Sequence, residues 1–383
     1  MKYFKILIAA LLSAVLIASI YTPAFAVTII NYGDYSFSAN GDSTYMLYSY
    51  NGTDKELELP DNIMGLEVVG IYDNCFKNSD IKTVLIPDTY TYIGKSAFYG
   101  CNSLSSITIP QNVAEIGEMA FSSCENLAVF KFEGKSKIKT IPYSAFYGDA
   151  SLTDFVVPSG VTEISSYAFA KSGLRSISIS NTVRTIGEYA FRECADLSKA
   201  ALPEQLTEVS DYCFYSCNSL ETVDLPINLT SIGDRAFAEC SALKEIQLPP
   251  YLESIGKYAF YNASSLSGLF IPDSVTAIGA EALNPMSYSN TITVSYYEGS
   301  YAQDYCYDNY VKNVVAYSKL IGDANLDGKI NILDVTSIQK YKIGDEDLSY
   351  RAVGLADVNR DNSLTIRDAT LIQMYLAKMI EEF

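Results

Sequence analysis

The feature that most constrains this chain is a repeat that fills its middle in steps of 22 to 25 residues. A pair made of Ala or Cys followed by a large apolar residue recurs in register, and a Pro recurs with it in most copies. A unit of this size cannot bury its own apolar face, whereas stacked units share one continuous core. The repeat therefore predicts a solenoid. The large apolar residues of the ten copies are Phe76, Phe98, Phe121, Phe146, Phe169, Phe191, Phe214, Phe237, Phe260 and Leu283.

Residues 104–124 show the full pattern of one unit. The L-x-x-I-x-I segment that ends at Ile109 predicts a short strand with one apolar face, and Pro110 ends it because proline has no N–H to donate. Stacked strands place equivalent positions about 4.8 Å apart, so equal side chains form ladders. The 25-residue step between Phe121 and Phe146 predicts two extra residues within 133–139.

The consensus I-x-I-P-x-x-V-x-x-I-G-x-x-A-F-x-x-C resembles the BspA-like subclass of leucine-rich repeats over about residues 55–316. The resemblance implies a mainly β leucine-rich-repeat solenoid of 23-residue repeats. Before it, Asn40-Gly41 lies between two alternating aromatic runs and predicts a hairpin turn. We therefore expect a capping hairpin at 27–54, repeats at 55–285, a Tyr-rich cap at 286–318 and a separate small domain at 319–383.

The N-terminus predicts export. Lys2 and Lys5 precede an apolar run of about 15 residues, and Ala24-Phe25-Ala26 supplies a cleavage site, as in a secretory signal peptide over 1–26. The alternative is an uncleaved anchor, but a span needs about 20 apolar residues. We therefore expect an extracellular protein with no membrane span after cleavage.

Composition excludes several function classes. The chain has no His, which removes Ser-His-Asp and Cys-His catalysis and His-ligated metals. A formal charge of −18 argues against binding nucleic acid or anionic membranes.

The cysteines follow the repeat. Five of the eight lie three residues after the repeated Phe, in positions that face inward: Cys101, Cys124, Cys194, Cys217 and Cys240. We interpret them as buried free thiols. A disulfide between neighbouring turns is the alternative, because the ladder spacing allows one.

Two acidic twelve-residue loops, 323–334 and 357–368, give the sharpest chemical signal. Oxygen-bearing side chains stand at positions 1, 3, 5, 9 and 12, and position 7 lends its carbonyl, as in an EF-hand calcium loop. Gly328 allows the sharp turn of the first loop, where the second has Asn362. Helices are expected at Val335 to Ile343 and Ala369 to Ile380. The candidate metal ligands are Asp323, Asn325, Asp327, Lys329, Asn331, Asp334, Asp357, Asn359, Asp361, Ser363, Thr365 and Asp368.

The duplicated loop and helix, with Asp at position 12, resembles a type I dockerin, the docking module of cellulosomal proteins. This small all-α, EF-hand-like domain implies two Ca²⁺ and a cohesin domain of a scaffoldin as partner. Gly344 stands where the second half has Lys378, so we expect one docking face to dominate. The partner-binding positions that the resemblance implies are Ile332, Leu333, Gln339, Lys340, Ile366, Arg367, Gln373, Met374 and Lys378.

Together these features predict a secreted, non-catalytic binding or adhesion protein that docks to a cellulosome scaffoldin during plant polysaccharide degradation. The repeats would present a surface to an unknown protein or polysaccharide. The alternatives are a glycoside hydrolase, which needs two carboxylates about 5–9.5 Å apart in a cleft, and an inhibitor or assembly partner of other cellulosomal proteins. Tyr residues beside the repeated Phe either bind such a ligand or pack between turns.

Overall fold

A computed structural model describes residues 28–40, 43–283 and 292–383. The predicted signal peptide, 1–26, lies outside these residues. The repeats form the solenoid that the sequence predicts, with about 12 turns and two parallel ladders of strands. Within the described residues, no helix is both long and apolar enough to cross a membrane.

The first ladder, called the long-strand ladder here, takes one strand from each turn. Its strands are Glu56–Glu58, Thr83–Leu85, Ser106–Ile109, Val129–Phe132, Asp154–Val156, Ser176–Ser178, Lys199–Ala201, Thr222–Asp224, Glu245–Ile246, Gly268–Phe270, Thr293–Tyr297 and Val314–Tyr317.

The second ladder is made of two-residue strands, each of which ends on an inward Ile or Val. They are Tyr92–Ile93, Glu115–Ile116, Thr140–Ile141, Glu163–Ile164, Thr185–Ile186, Glu208–Val209, Ser231–Ile232, Ser254–Ile255 and Ala277–Ile278.

The N-terminal end is covered by an antiparallel meander. Strand Ile29–Tyr32 pairs with Tyr35–Ala39, which pairs with Tyr45–Tyr50. Strand Tyr45–Tyr50 then pairs in parallel with Leu66–Ile71, and Asn62–Ile63 pairs with that strand antiparallel. The meander therefore closes the sheet edge that the first turn would otherwise expose.

Register is kept across the one irregular step. Ile107 pairs with Phe130, and Ile109 pairs with Phe132. The next inward residue is Ile138, which is buried, so the two extra residues lie between Phe132 and Ile138. This position agrees with the predicted range of 133–139.

The core is a column of stacked phenylalanine rings. From Phe76 to Phe260, consecutive rings lie with centroids 5.1–5.8 Å apart and planes tilted by 2–11°. All nine rings are buried. Because each ring contacts the one before and the one after, the core is continuous through the repeats.

A column of cysteines runs beside the rings. All eight cysteines of the chain lie in described residues, and all are buried with free thiols, as the sequence predicts. Burial raises the pKa of Cys194 and Cys240 to about 12. The thiols donate to carbonyls of preceding turns, as Cys124 does to Phe98 O (3.0 Å) and Cys240 to Phe214 O (3.1 Å).

The C-terminal end contains four helices. Helix α1, Tyr301–Asp308, lies in the solenoid cap between its last two strands. The C-terminal module has α2 (Ile332–Ile343), α3 (Tyr350–Ala356) and α4 (Ile366–Leu376), and α2 packs against α4.

Both predicted helices of the module exist, α2 ends at Ile343 as predicted, and α3 was not predicted. Helices α2 and α4 begin three residues before the predicted starts, because Asn331 and Thr365 cap them. Helix α4 ends at Leu376 and not at Ile380, since Lys378 has a left-handed φ of +58°.

Candidate calcium loops and docking surface

The first loop, 323–334, is closed by its two terminal aspartates. Asp323 accepts hydrogen bonds from the backbone N–H groups of Asp327 and Gly328, both at 2.9 Å. Asp334 accepts from the N–H groups of Asn325 (3.2 Å) and Asn331 (2.8 Å). The carboxylates at positions 1 and 12 thus order the loop from its inside.

The second loop, 357–368, repeats this geometry. Asp357 accepts from the N–H of Asn362 (3.0 Å), and Asp368 accepts from those of Asn359 (3.5 Å) and Thr365 (2.9 Å). Asn362 has a φ of +63°, the left-handed conformation that glycine has in the first loop. Asn tolerates this conformation better than most residues, so the substitution preserves the turn.

The carboxylates at positions 1 and 12 are buried and have no Lys or Arg partner among the described residues. Asp323, Asp334, Asp357 and Asp368 are 5%, 0%, 3% and 0% exposed, and no ion pair among the described residues includes them. Burial raises the pKa of Asp334, and the charges of Asp323 and Asp327 raise it further. Burial also raises the pKa of Asp357. Buried carboxylates require a compensating partner, and a bound cation supplies one.

The donor set fits a hard divalent cation. Oδ1 of Asp357 is buried and makes no hydrogen bond with the described residues, so one oxygen at position 1 is available to an ion. No group of three or more Cys, Asp or Glu side chains in the described ranges is arranged to hold a metal alone. An EF-hand loop does not need one, because amide and backbone carbonyl oxygens complete the set.

Position 9 has a second role that the spacing did not show. The side-chain oxygen of Asn331 accepts from the N–H of Leu333 (2.8 Å), and that of Thr365 accepts from Arg367 (3.1 Å). Both residues are helix N-caps, and Asp334 completes the capping box in the first loop. Closing a loop therefore also starts the helix that follows it.

The positions implied as partner contacts lie at the surface of α2 and α4 and at their ends. Ile332, Leu333 and Ile366 are 57%, 56% and 50% exposed, although they are apolar. Met374 is half-buried, and the remaining positions are exposed: Gln339, Lys340, Arg367, Gln373 and Lys378. Exposed apolar residues grouped with polar ones are typical of a protein-binding surface.

The outward positions of the long-strand ladder are exposed, apart from the last. Leu85 and Val156 are 61% and 68% exposed, whereas Phe270 is half-buried. The other exposed positions in this row are Glu58, Thr108, Lys131, Ser178, Ala201, Asp224 and Gln247. The row has small and mixed side chains, which suits contact with a protein more than stacking on sugars.

The tyrosines beside the repeated Phe stack on one another. Tyr167, Tyr189 and Tyr212 have ring centroids 4.6 Å apart at each step, with planes 8° and 18° apart. Arg235 continues the column, with its guanidinium 4.4 Å from the centroid of Tyr258. Because ring faces are occupied by neighbouring side chains, this column supports the interpretation that the tyrosines pack between turns.

The module lies against the last turns of the solenoid through α3. The hydroxyl of Tyr350 donates to the carbonyl of Leu225, and Ile227 packs on the apolar core of the module. A Cβ at Gly354 would lie 3.0 Å from Cβ of Pro250, so the two backbones approach closely.

Arg351 anchors the same contact. Its guanidinium lies 3.9 Å from the ring centroid of Tyr317, 5.7 Å from that of Phe270 and 5.8 Å from that of Tyr297. Lys319 pairs with Asp273 beside it. These contacts explain why Phe270 is half-buried, and none of them follows from a pattern in the sequence.

Comparison with protein families assigns both parts of the chain. The model described as BspA type leucine rich repeat region matches six copies over residues 69–194 and 162–293, more than half of the chain. The chain belongs to the BspA type leucine-rich-repeat family. The model described as Dockerin type I domain matches residues 321–377, so the C-terminal module is a type I dockerin.

Solved structures with similar folds are bacterial leucine-rich-repeat proteins. A leucine rich cell surface protein of Faecalibacterium prausnitzii A2-165 is 23% identical, with 77% of this chain and 96% of that chain covered and a TM-score of 0.45. Pneumococcal vaccine antigen PcpA is 18% identical, with 76% and 99% covered and a TM-score of 0.47. A leucine-rich repeat protein of Bacteroides ovatus is 20% identical, with 78% and 100% covered and a TM-score of 0.40. Among curated proteins there is no significant match.

Proposed function

We propose that this protein is exported and docks through its dockerin to a cohesin of an extracellular scaffoldin, where its repeats present a non-catalytic binding surface. The observation that carries this is the pair of equivalent loops, in which the buried carboxylates of Asp334 and Asp368 directly follow the exposed residues that begin α2 and α4. The proposed segments are a signal peptide at 1–26, a capping hairpin at 27–54, repeats at 55–285, a cap at 286–318 and the dockerin at 319–383.

Each loop is proposed to hold one Ca²⁺. The ion supplies positive charge where the positions 1 and 12 carboxylates are buried, and this neutralisation stabilises the closed loop. Positions 3 and 5 add side-chain oxygens, and position 7 adds the carbonyl of Lys329 or Ser363. Position 9 caps the helix, so Asn331 and Thr365 are proposed to act through a water. Once the loops are closed, the N-cap residues Asn331 and Thr365 are in place to start α2 and α4.

The cohesin contact is proposed to centre on the start of α2. Ile332 and Leu333 are adjacent, exposed and apolar, while the equivalent pair in α4 is Ile366 and Arg367. Apolar residues that become fully buried contribute most of the binding free energy at such surfaces. The first half is therefore proposed as the dominant face.

A non-catalytic role rests on the domain families and on the repeat surface. Leucine-rich repeats and dockerins are non-catalytic domains. In the outward row that contains Leu85, the acidic residues are Glu58 and Asp224, which lie seven turns apart, and Asp224 pairs with Lys199 at 2.9 Å. Since glycoside hydrolysis requires two carboxylates across a cleft, the repeat surface is proposed to bind a protein ligand and to carry out no reaction.

A cohesin-panel assay tests the docking proposal. The chain without residues 1–26 is passed over immobilised cohesins in calcium and then in EDTA. We expect binding to at least one cohesin in calcium and none in EDTA. The double variant Asp334→Ala, Asp368→Ala should fail to bind in either buffer, whereas the surface variant Lys131→Ala should bind normally. Binding that survives EDTA, or that both variants retain, contradicts the proposal.

A further inference from the structure

One solenoid side chain reaches the second calcium loop. Tyr251 follows Pro250, the residue that faces Gly354 of α3, and its hydroxyl lies beside the carboxylate of Asp357, at position 1 of the loop. Position 1 is a calcium ligand in this loop type. The solenoid therefore contributes a polar group next to the proposed second ion.

The two neighbouring oxygens are both unsatisfied. The hydroxyl of Tyr251 and Oδ1 of Asp357 are buried, and neither has a hydrogen-bond partner at normal distance and angle among the described residues, although the two groups lie close enough for each to shift the pKa of the other. Oδ2 of Asp357 is already used, because it accepts from the N–H of Asn362 at 3.0 Å. A buried polar group without a partner carries a free-energy cost, so this arrangement is one that a bound cation relieves.

Position 1 of the first loop is satisfied within the loop itself. Oδ1 and Oδ2 of Asp323 accept from the N–H groups of Asp327 and Gly328, and both oxygens are satisfied within the loop. The two loops thus share a backbone geometry but differ in what covers position 1. The first loop can therefore serve as the control when calcium binding at the second loop is measured.

We propose that Tyr251 is a positioning residue for the second calcium loop, and that calcium binding there is coupled to the contact between dockerin and solenoid. The proposal rests on the proposed calcium-dependent function. Calcium at Asp357 removes the cost of burying that carboxylate against the solenoid, so the ion favours the docked arrangement. Linkage requires the reverse as well: the docked arrangement raises calcium affinity at the second loop.

Calcium titration of the chain without residues 1–26 tests the positioning role. Asp334→Ala leaves the second loop as the measured site, and Asp368→Ala leaves the first. Tyr251→Phe should lower calcium affinity about tenfold at the second loop, as changes to groups that orient metal ligands commonly do, and leave the first loop unchanged. Tyr258→Phe is the matched control, since Tyr258 is a solenoid tyrosine that contacts Arg235 and the edge of Tyr261, and it should change neither affinity.

A distance measurement tests the coupling. Gly354→Leu places a side chain against Pro250, whereas Ala377→Leu adds the same bulk at an exposed site just past the end of α4. Spin labels are placed at positions 131 and 342, one on the solenoid and one on the dockerin. Calcium should narrow the distribution of distances between the two labels in the unaltered chain, and EDTA should broaden it. Gly354→Leu should stay broad in calcium, and Ala377→Leu should behave as the unaltered chain.

The outcomes separate the two proposals. If neither loop takes up calcium, the proposed function fails and the coupling fails with it. If both loops bind calcium but Tyr251→Phe and Tyr258→Phe have the same calcium affinity, the proposed function stands and the coupling is overturned. The coupling is also overturned if the spin-label distance distribution is the same in calcium and in EDTA.

Discussion

Asp149 occupies a place in the cysteine column, where its Oδ1 accepts a 2.9 Å hydrogen bond from the backbone N–H of Cys124. The carboxyl is fully buried and its Oδ2 has no hydrogen-bond partner within the described residues. Burial raises the pKa of Asp149 well above its usual value. A buried polar atom without a hydrogen-bond partner therefore lies in the turn that follows the irregular step.

We expect Asp149→Cys to raise the free energy of unfolding by about 1–3 kcal/mol at neutral pH, because it removes an unsatisfied buried polar atom. The folded-state pKa lies above the unfolded value of about 3.9, so the folded chain binds more protons and loses stability as pH rises above that value. The gain should therefore become smaller as the pH falls toward 4. Denaturant unfolding at several pH values measures it. Ser172→Asp, at the equivalent position, should destabilise; a pH-independent gain for Asp149→Cys would contradict this account.

We expect all eight cysteines to resist labelling in the folded chain. They are buried, and burial raises their pKa values, to about 12 for Cys101 and about 11 for Cys306. A thiol reagent should therefore react with none of them natively and with eight after unfolding without reductant. A count below eight in denaturant would show a disulfide between turns.

We expect Gly256→Ala to destabilise the solenoid by about 1–3 kcal/mol, because overpacking strains a close contact. A Cβ there would lie 2.5 Å from backbone atoms of Gly233 and Asp234 in the preceding turn. Thermal unfolding measures the change. The equivalent position in another turn is Ser165, so Ser165→Ala is the control and should shift the midpoint little; equal shifts for both would argue against the close approach.

We expect chelation to unfold the dockerin and to leave the solenoid folded. The dockerin has eleven acidic and seven basic residues over 321–383, and its loops bury four carboxylates. Calcium at a thousandfold excess over its dissociation constant adds about 4 kcal/mol per site. Far-ultraviolet circular dichroism in EDTA should show loss of helix that calcium restores. Asp334→Ala, Asp368→Ala should not respond, and an unaltered spectrum in EDTA for the unmodified chain would refute the expectation.

We expect the double variant Ile332→Ser, Leu333→Ser to weaken cohesin binding at least tenfold, since hot-spot truncations commonly cost 2 kcal/mol or more. The equivalent variant Ile366→Ser, Arg367→Ser should have a smaller effect, because its surface is less apolar. Calcium affinity serves as the control and should not change in either. Equal losses would indicate that both faces bind.

Periodicity made most of the solenoid predictable. Ten registered copies fix which residues face inward, so the column from Phe76 to Phe260 and the inward cysteines follow from spacing alone. The loops were predictable for the same reason, because ligand positions such as Asp323 and Asp334 are set by local sequence. The position of a residue can be predicted from local sequence wherever that residue contacts only its own turn or the next one.

The contact between the two parts was not predictable. Arg351 lies on Tyr317 and Phe270, and Tyr251 lies beside Asp357, only because tertiary placement brings α3 to the last turns. Helix α3 itself is seven residues long and has no periodic signal in a sequence of that length. The capping roles of Asn331 and Thr365 could not be predicted, because a polar side chain at this position can either bind a metal or cap the N-terminus of the following helix.

The covered position of Phe270 has a consequence for how the molecule would project from a surface. Because the dockerin occupies the last turns, only the earlier strands remain open to a ligand, with Leu85 and Val156 among their outermost side chains. Twelve turns at about 4.8 Å each give a reach of roughly 50–60 Å. If the dockerin is bound to a scaffoldin, the solenoid would extend about five nanometres from it, and the turns that remain free to bind a ligand would be the first few, at the far end.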